Sequence, residues 1–355
     1  MQKKTILHFI YSLGRGGAET MLVRTLRELK EYNNIVITIK DENDFGNELK
    51  CDKHICLHLE KMAVFPLAIF KIKKIIRENN VDIVHSHLFW PTIISRIAVP
   101  KSIPLITTIH AFIATSIEYK TWYIRILDRV TYKLRKSVIV AVAKGAQNEY
   151  FSFLHLKPYK TYVLYTFVDM ERYTQKNIAV ETEAFKLITV GALRIQKNQS
   201  YLIKAMSLIK DADVELHIYG GGPLESHLQQ LINQTGAKVF LKGVVKNIEE
   251  VLPLYNGFVM SSTFEGFSLA VLEAMAVKTP LLLSDIDSFK EQCDDTALYF
   301  RLDDEQDFVK KINILRNNKT ERDRLGEEAF RRVNENFTLS YHMVGLRQIY
   351  SEAHL

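Results

Sequence analysis

Short, nearly unbroken apolar runs alternate along this chain with longer stretches of helical period, and halfway along the alternation starts again. In the first half Thr5–Ile10, Ile35–Ile39, Val81–Ser86, Leu105–Ile109 and Ser137–Val142 read as buried strands, with helices expected near 18–31, 66–79, 115–135 and 144–153. In the second, Lys186–Val190, Val214–Tyr219, Val239–Leu241, Phe258–Ser261 and Pro280–Ser284 read as strands, with helices near 198–210, 223–234, 247–254 and 267–277. Strands apolar on both faces need cover on both faces, which the helices of βαβ units supply on a parallel sheet. The expected fold class is therefore α/β: two Rossmann-like, doubly wound parallel-sheet domains facing across a cleft, with ligand at the carboxyl ends of the strands. A chain of 355 residues is long enough for two such cores. The polar, poorly periodic segment Thr166–Phe185 marks the expected boundary, giving domains 1–170 and 171–338. Helical patterns at 304–317, 319–335 and 339–353 close the chain, and the last, within 339–355, is expected to pack back on the first domain.

Composition removes several function classes. No apolar run approaches the roughly 18 residues of a membrane span. The opening Met1-Gln2-Lys3-Lys4-Thr5-Ile6 enters a strand pattern directly, unlike a signal peptide. Cys51, Cys56 and Cys293 lack C-x2-C spacing and read as buried free thiols, so a cytoplasmic protein is expected. The net charge of +6 is unevenly spread: residues 1–172 carry 26 Lys and Arg against 16 Asp and Glu, the remainder 21 against 25. A basic first half favours an anionic partner, such as a phospholipid surface or a pyrophosphate-linked acceptor. Trp122–Lys136 mixes aromatic, aliphatic and basic residues, and reads equally as a membrane-interface helix and as a core helix with a solvated basic face. No nucleic-acid-binding motif accompanies it, and no nucleic-acid partner is expected.

Three turns carry the chemistry. Leu13-Gly14-Arg15-Gly16-Gly17-Ala18-Glu19 joins the first strand to its helix, where glycines let a ligand approach the backbone and the helix start offers N–H groups to an anion. Its spacing is not G-x-G-x-x-G and no Gly-Lys-Ser/Thr follows, which disfavours a nicotinamide cofactor or a P-loop. Ile218-Tyr219-Gly220-Gly221-Gly222-Pro223-Leu224 repeats the layout in the second half and reads equally as a tight turn or a ligand loop. The most specific is Phe264-Glu265-Gly266-Phe267-Ser268-Leu269, running on through Ala270-Val271-Leu272-Glu273-Ala274-Met275. A strand leads through Glu265 into a helix on which Glu273 lies about 80° round from it. Carboxylates so placed suit sugar and ribose hydroxyls, which donate charge-assisted hydrogen bonds to them.

These turns resemble motifs of the family 4 glycosyltransferases, and the resemblance covers nearly the whole chain. Glu265 and Glu273 look like the family's E-x7-E pair, and Gly14–Glu19 like its N-terminal glycine loop. Val81-Asp82-Ile83-Val84-His85-Ser86-His87 resembles the D-V-V-H-x-H strand end, and Thr107-Thr108-Ile109-His110 the strand end that brings a histidine to the donor sugar. Val190–Asn198 is similar to the phosphate-binding G-R-L-x-x-x-K-G/N loop; Ser284–Glu291 and Ala297–Phe300 also fit. The family's loop arginine falls on Ala192, leaving Arg194 as the candidate substitute and Lys197 as the firmer anchor. Lys278, Ala143 and Thr166-Phe167 are further departures from the pattern.

The resemblance implies a GT-B fold and a retaining, metal-independent hexosyl transfer from a nucleotide diphosphate sugar to a hydroxyl acceptor. That acceptor is expected to be lipid-linked or an oligosaccharide in cell-surface polysaccharide or glycolipid assembly. No cofactor is expected. Lys197, Arg194, and the backbone N–H groups of Gly16, Gly17, Gly266, Phe267, Ser268 and Leu269 would hold the diphosphate, Glu273 the ribose, and Glu265 and His110 the sugar. Closure of the domains would exclude water. A weak, peripheral association with an anionic membrane face goes with the basic first half. A sugar-nucleotide 2-epimerase and a silent donor-binding partner subunit stand as alternatives. No metal site is assigned: Asp211-Ala212-Asp213 and Asp285-Ile286-Asp287 read as incidental D-x-D strings. His85 and His87 are read as pointing to opposite faces of their strand, which argues against a shared ion and leaves His87 as an acceptor-side candidate.

Overall fold

The computed structural model describes residues 3–59, 65–114, 118–173, 184–210 and 213–353. Asp211-Ala212, the first three residues of the helix expected at 115–135 and part of the Thr166–Phe185 segment lie outside them. The chain divides into two compact units: Met1–Thr166 with His342–Leu355, and Phe167–Tyr341.

Unit 1 carries β1 (Thr5–Ile10), β2 (Asn33–Thr38), β3 (Lys53–Cys56), β4 (Ile83–His87), β5 (Leu105–Ile109), β6 (Val138–Ala141) and β7 (Lys160–Val163). They form one seven-stranded sheet in the order β3-β2-β1-β4-β5-β6-β7, with every pairing parallel. The alternation of β1 explains its two-sided cover. Leu7 and Phe9 pack with Ala68, Ile72 and Ile76 of helix Phe65–Glu78 and Ile94 of helix Phe89–Ala98. Ile10 packs on the opposite side with Ala18, Leu22 and Leu26 of helix Gly17–Glu28. His8 shares the Ile10 face.

Unit 2 carries β8 (Phe185–Val190), β9 (Val214–Tyr219), β10 (Val239–Gly243), β11 (Gly257–Met260), β12 (Leu281–Ser284) and β13 (Ala297–Phe300). Their order is β10-β9-β8-β11-β12-β13, again parallel throughout. Both sheets are doubly wound, with the order reversing beside the first strand of each unit.

Several elements differ from expectation. Strands β3, β7 and β13 were not anticipated, nor were helices Phe89–Ala98 and Asp287–Cys293. The helix expected at 115–135 starts at Trp122, behind a single 3-10 turn at Glu118–Lys120.

Candidate functional site

Where strand order reverses, neighbouring loops leave in opposite directions and a crevice opens at the strand ends. In unit 2 this falls between β8 and β11, whose following loops are Gly191–Asn198 and Ser261–Ser268. Lys197 Nζ donates to Glu265 Oε1 at 2.6 Å, with side chains only 18% and 9% exposed. Ser262 Oγ donates to the same oxygen at 2.6 Å, and Ser284 Oγ anchors the Ser262 carbonyl. Ser261 Oγ reaches the carbonyls of Lys197 and Asn198 at 3.0 and 2.9 Å, and the Thr263 N–H donates to Gln196 O. Asn198 turns the chain with φ 50°, a left-handed conformation that asparagine adopts more readily than most residues. The structure thus brings Lys197 and Glu265, 68 residues apart, into one pair. A lysine ammonium has three donors, so two remain for an incoming anion.

Directly after this loop, helix Leu269–Ala276 begins behind Ser268, and its aligned peptides favour negative charge at that end. The Ser268 N–H, one of the expected phosphate donors, is already committed: it donates to Gln292 Oε1 at 3.0 Å. Gln292 Nε2 returns a bond to Ser268 O at 2.8 Å. Glu273 is half-buried on the same helix. Arg194 is exposed, while the Lys197 stem passes alongside Gly191, where an added Cβ would make ordinary contact with Lys197 Cε at 3.4 Å. The second glycine run holds this loop from behind. Gly220, at φ +140°, would place a Cβ 2.0 Å from Gly191 O. The run therefore serves a close backbone approach rather than a turn alone.

In unit 1 the glycine loop places Gly16 at the N-cap of helix Gly17–Glu28 with no side-chain cap. Burial raises the Glu19 carboxyl beside it, with Glu42 adding to the effect. On β1 and β4, and just past the end of β5, lies a group of histidines. His85 and His87 do not point to opposite faces: two positions apart on one strand they share a face, with ring centroids 4.3 Å apart. The expectation miscounted the pleat. His8, in register with His85 on the neighbouring strand, has its ring 5.9 Å away. His87 Nδ1 and His110 Nε2 are hydrogen-bonded at 3.1 Å. His342, from the final helix Leu339–Glu352, bonds Tyr165 O at 2.8 Å. Burial lowers all five: His8 and His342 to about 4, His110 to about 3, and His85 and His87 well below the usual range. At neutral pH they are uncharged.

These rings border a cavity of about 30 Å³. A larger one of about 360 Å³ is lined by His110, Tyr11, Phe89, Trp90, Phe112 and Tyr119 among others. Its wall is stiffened by Asp128, which is buried and bonded to Arg96, Tyr119 and Tyr150. Helix Trp122–Leu134 buries Ile124, Asp128, Thr131 and Tyr132. Its outer side leaves Trp122, Ile126, Val130 and Leu134 at 70, 51, 45 and 71% exposure, with Arg125, Arg129 and Lys133 exposed among them. The helix is thus a core helix whose outward face is an apolar stripe edged with cations.

Among these residues, sequence reasoning singled out Lys197, Glu265, Glu273, His87 and His110. It missed Ser262, which bonds Glu265 three residues on, and Ser261, Gln292, His8 and His342, each of which acts through a partner distant in sequence.

Two family models match in sequence: Glycosyltransferase Family 4 over residues 15–172 and Glycosyl transferases group 1 over residues 171–332. A Campylobacter jejuni relative, N-acetylgalactosamine-N,N'-diacetylbacillosaminyl-diphospho-undecaprenol 4-alpha-N-acetylgalactosaminyltransferase, is 27% identical over 89% of this chain and 90% of its own length. An Escherichia coli UDP-Gal:alpha-D-GlcNAc-diphosphoundecaprenol alpha-1,3-galactosyltransferase is 25% identical over 62% of each. The crystal structure of Anabaena HepE in complex with UDP superposes with a TM-score of 0.85 at 16% identity, over 98% of this chain and all of that one.

Proposed function

The chain belongs to the family 4 glycosyltransferases, of GT-B architecture, and from that premise we propose that it moves a sugar from a nucleotide diphosphate sugar to a hydroxyl acceptor with retention of configuration. The observation that carries the reading is the Lys197–Glu265 pair, at 2.6 Å, where the strand order of unit 2 reverses. As the bond from the sugar to the diphosphate breaks, negative charge builds on the leaving phosphate. The two unused Lys197 donors, Arg194, and the helix start at Gly266-Phe267 and Leu269 stabilise that charge. Glu265, held in place by Lys197 and Ser262, accepts from the sugar's hydroxyls. Glu273 takes the ribose. A donor phosphate oxygen receives the acceptor's proton, so no protein nucleophile of the kind retaining glycosidases use is needed. Lys197 supplies the positive charge, and transfer proceeds without a divalent cation.

The acceptor side belongs to unit 1. Its aromatic-lined cavity beside His110 suits the apolar faces of sugar rings. The named substrates of the Campylobacter and Escherichia coli relatives are diphospho-undecaprenol-linked, which supports a lipid-linked acceptor and a role in polysaccharide or glycolipid assembly. No helix among the described residues is long and apolar enough to cross a membrane. The Trp122–Leu134 stripe with its cations suits peripheral contact with an anionic bilayer.

Incubating the chelator-treated protein with a panel of sugar nucleotides, uridine donors first, tests this reading. Nucleoside diphosphate should be released only when a polyprenyl-diphosphate glycan is added, and the glycan should gain one α-linked sugar. Release that is equal with and without acceptor, or turnover restored only by manganese or magnesium, rejects it.

A further inference from the structure

We propose that His8, His85 and His87 form a binding site in unit 1 for one divalent transition-metal ion of the zinc type. Each can offer a ring nitrogen, and those atoms lie within 4.8 Å of one another. A zinc ion with nitrogens at about 2.0–2.1 Å holds them roughly 3.4 Å apart in tetrahedral geometry, so small side-chain rotations close the set.

The hydrogen bonds say which atoms are available. The Asn34 side-chain amide donates to Leu29 O at 2.8 Å and to Tyr32 O at 3.4 Å. Its oxygen therefore faces His8 Nε2, 3.3 Å away, and that nitrogen must carry the proton. His8 Nδ1 is then a bare lone pair, buried and without a partner. His87 Nε2 is likewise buried and unpartnered, while His87 Nδ1 meets His110 Nε2. His85 lies between Tyr350 OH at 2.8 Å and Thr108 Oγ1 at 2.7 Å. One hydroxyl accepts the ring N–H, and rotation of the other frees the remaining nitrogen for a metal.

Buried lone pairs without donors are costly, and a cation answers them directly. Three neutral imidazoles suit zinc, cobalt, nickel or copper and not magnesium or calcium, which take oxygen ligands. Asn34 behind His8 and His110 behind His87 are the outer partners such sites use to fix ring orientation. The adjoining cavity of about 30 Å³ leaves room for the ion. A metal on His87 Nε2 puts the His87 proton on Nδ1, which then donates to His110 and fixes that ring's tautomer. The ion is thus a positioning element within unit 1. It takes no part in the diphosphate chemistry assigned to Lys197.

The test uses the full chain without a histidine tag, stripped by chelator, with cobalt(II) as the probe. Titration should give visible d–d absorption that saturates at one equivalent, with zinc(II) displacing the cobalt, and X-ray absorption should report imidazole ligands. His8→Phe and His87→Phe, which keep a ring but remove its lone pairs, should each weaken binding at least tenfold. No saturable absorption, oxygen-only coordination, or unchanged binding in both variants overturns the site. If a variant does not fold by circular dichroism, the spectra of the native chain decide. The readout is spectroscopic, so failure here leaves the transfer reading standing, and loss of transfer would not touch this one.

Discussion

Replacing Glu265 by Gln removes one buried negative charge while keeping the shape of the side chain. In the native site its Oε1 accepts from Lys197 Nζ and Ser262 Oγ, each at 2.6 Å. A hydrogen bond to a charged group contributes about 1.5–3 kcal/mol. Glutamine still offers a carbonyl to both donors, so the loss in folding stability should stay near about 1–2 kcal/mol. The Lys197 ammonium keeps an acceptor and loses only the negative charge on it, and nucleoside diphosphate should bind Glu265→Gln within about threefold of native, below the worth of one such bond. Turnover is another matter, because on the proposed reading the carboxylate accepts from the sugar's hydroxyls, and that contact would matter most as the sugar becomes cationic. A deficit of about 1.5–3 kcal/mol at that stage slows transfer roughly 10- to 150-fold. Glu273→Gln should behave in the opposite sense, weakening free nucleotide and donor alike by roughly 10- to 150-fold. Calorimetric titration with nucleoside diphosphate, initial transfer rates and circular dichroism on both variants separate the cases. Should Glu265→Gln abolish nucleotide binding while Glu273→Gln binds normally, the two roles are reversed. Native rates in both folded variants would make the motif structural.

Three further outcomes are expected. Gly220→Ala should destabilise unit 2 by about 2–4 kcal/mol, because its Cβ would overlap Gly191 O at φ +140°. Gly221→Ala, which meets only Val244 Cγ2 at 3.2 Å, should cost under about 1 kcal/mol; equal melting temperatures for the two would contradict this. His342, lowered to about 4 by burial, is neutral when folded, whereas the unfolded chain takes up its proton near pH 6.5. Its contribution is therefore intact above pH 6.5 and is lost as pH falls towards 4, and the loss amounts to about 2 kcal/mol by pH 5. His342→Asn, which keeps a donor for Tyr165 O, should lose that much less stability between pH 7 and 5. Urea unfolding followed by tryptophan fluorescence checks this, since Trp90 and Trp122 both lie in unit 1, and an unchanged pH slope would refute it. Native protein should co-sediment with anionic vesicles less well as salt rises, and Trp122→Ser with Leu134→Ser should reduce recovery at least tenfold, given about 1.5–3 kcal/mol per buried apolar side chain. Equal recovery on neutral vesicles at low salt would end the membrane reading.

What the sequence discloses depends on how far apart the deciding atoms lie. β1 and β5 are readable to the residue because both of their faces are covered and their side chains are buried almost throughout, and β9 because its buried and half-buried positions alternate with the period of a strand. β3 and β7 close the two edges of their sheet, and their Lys53–Cys56 and Lys160–Val163 stretches are exposed or half-buried. A half-wet edge needs no apolar pattern, so none is there to find. Helix Phe89–Ala98 contains Pro91 followed directly by three β-branched residues, Thr92, Ile93 and Ile94, with a fourth at Ile97, which imitate a strand or a break until packing overrules propensity. In the site, Lys197 and Glu265 were visible because each sits in a recognisable motif. Gln292 was not, since its importance comes from the Ser268 backbone 24 residues away. The histidine group draws on positions 8, 85, 87, 110 and 342, and no local window holds more than two of them.

The final helix sets an order of assembly on the ribosome. His342, Met343, Leu346, Ile349 and Tyr350 are all buried and belong to unit 1, yet they follow the whole of Phe167–Tyr341 in the chain. At about 5–20 residues per second, that intervening segment keeps the nascent sheet waiting roughly ten to thirty-five seconds. Throughout that delay His85 lacks its Tyr350 partner, and the apolar surface that the helix later covers is open to solvent and to chaperones. A ribosome that stalls or stops within unit 2 therefore releases a finished-looking first half with a sticky, unsealed wall. Quality control of this enzyme is expected to act on the half that is translated first, for want of residues that are translated last.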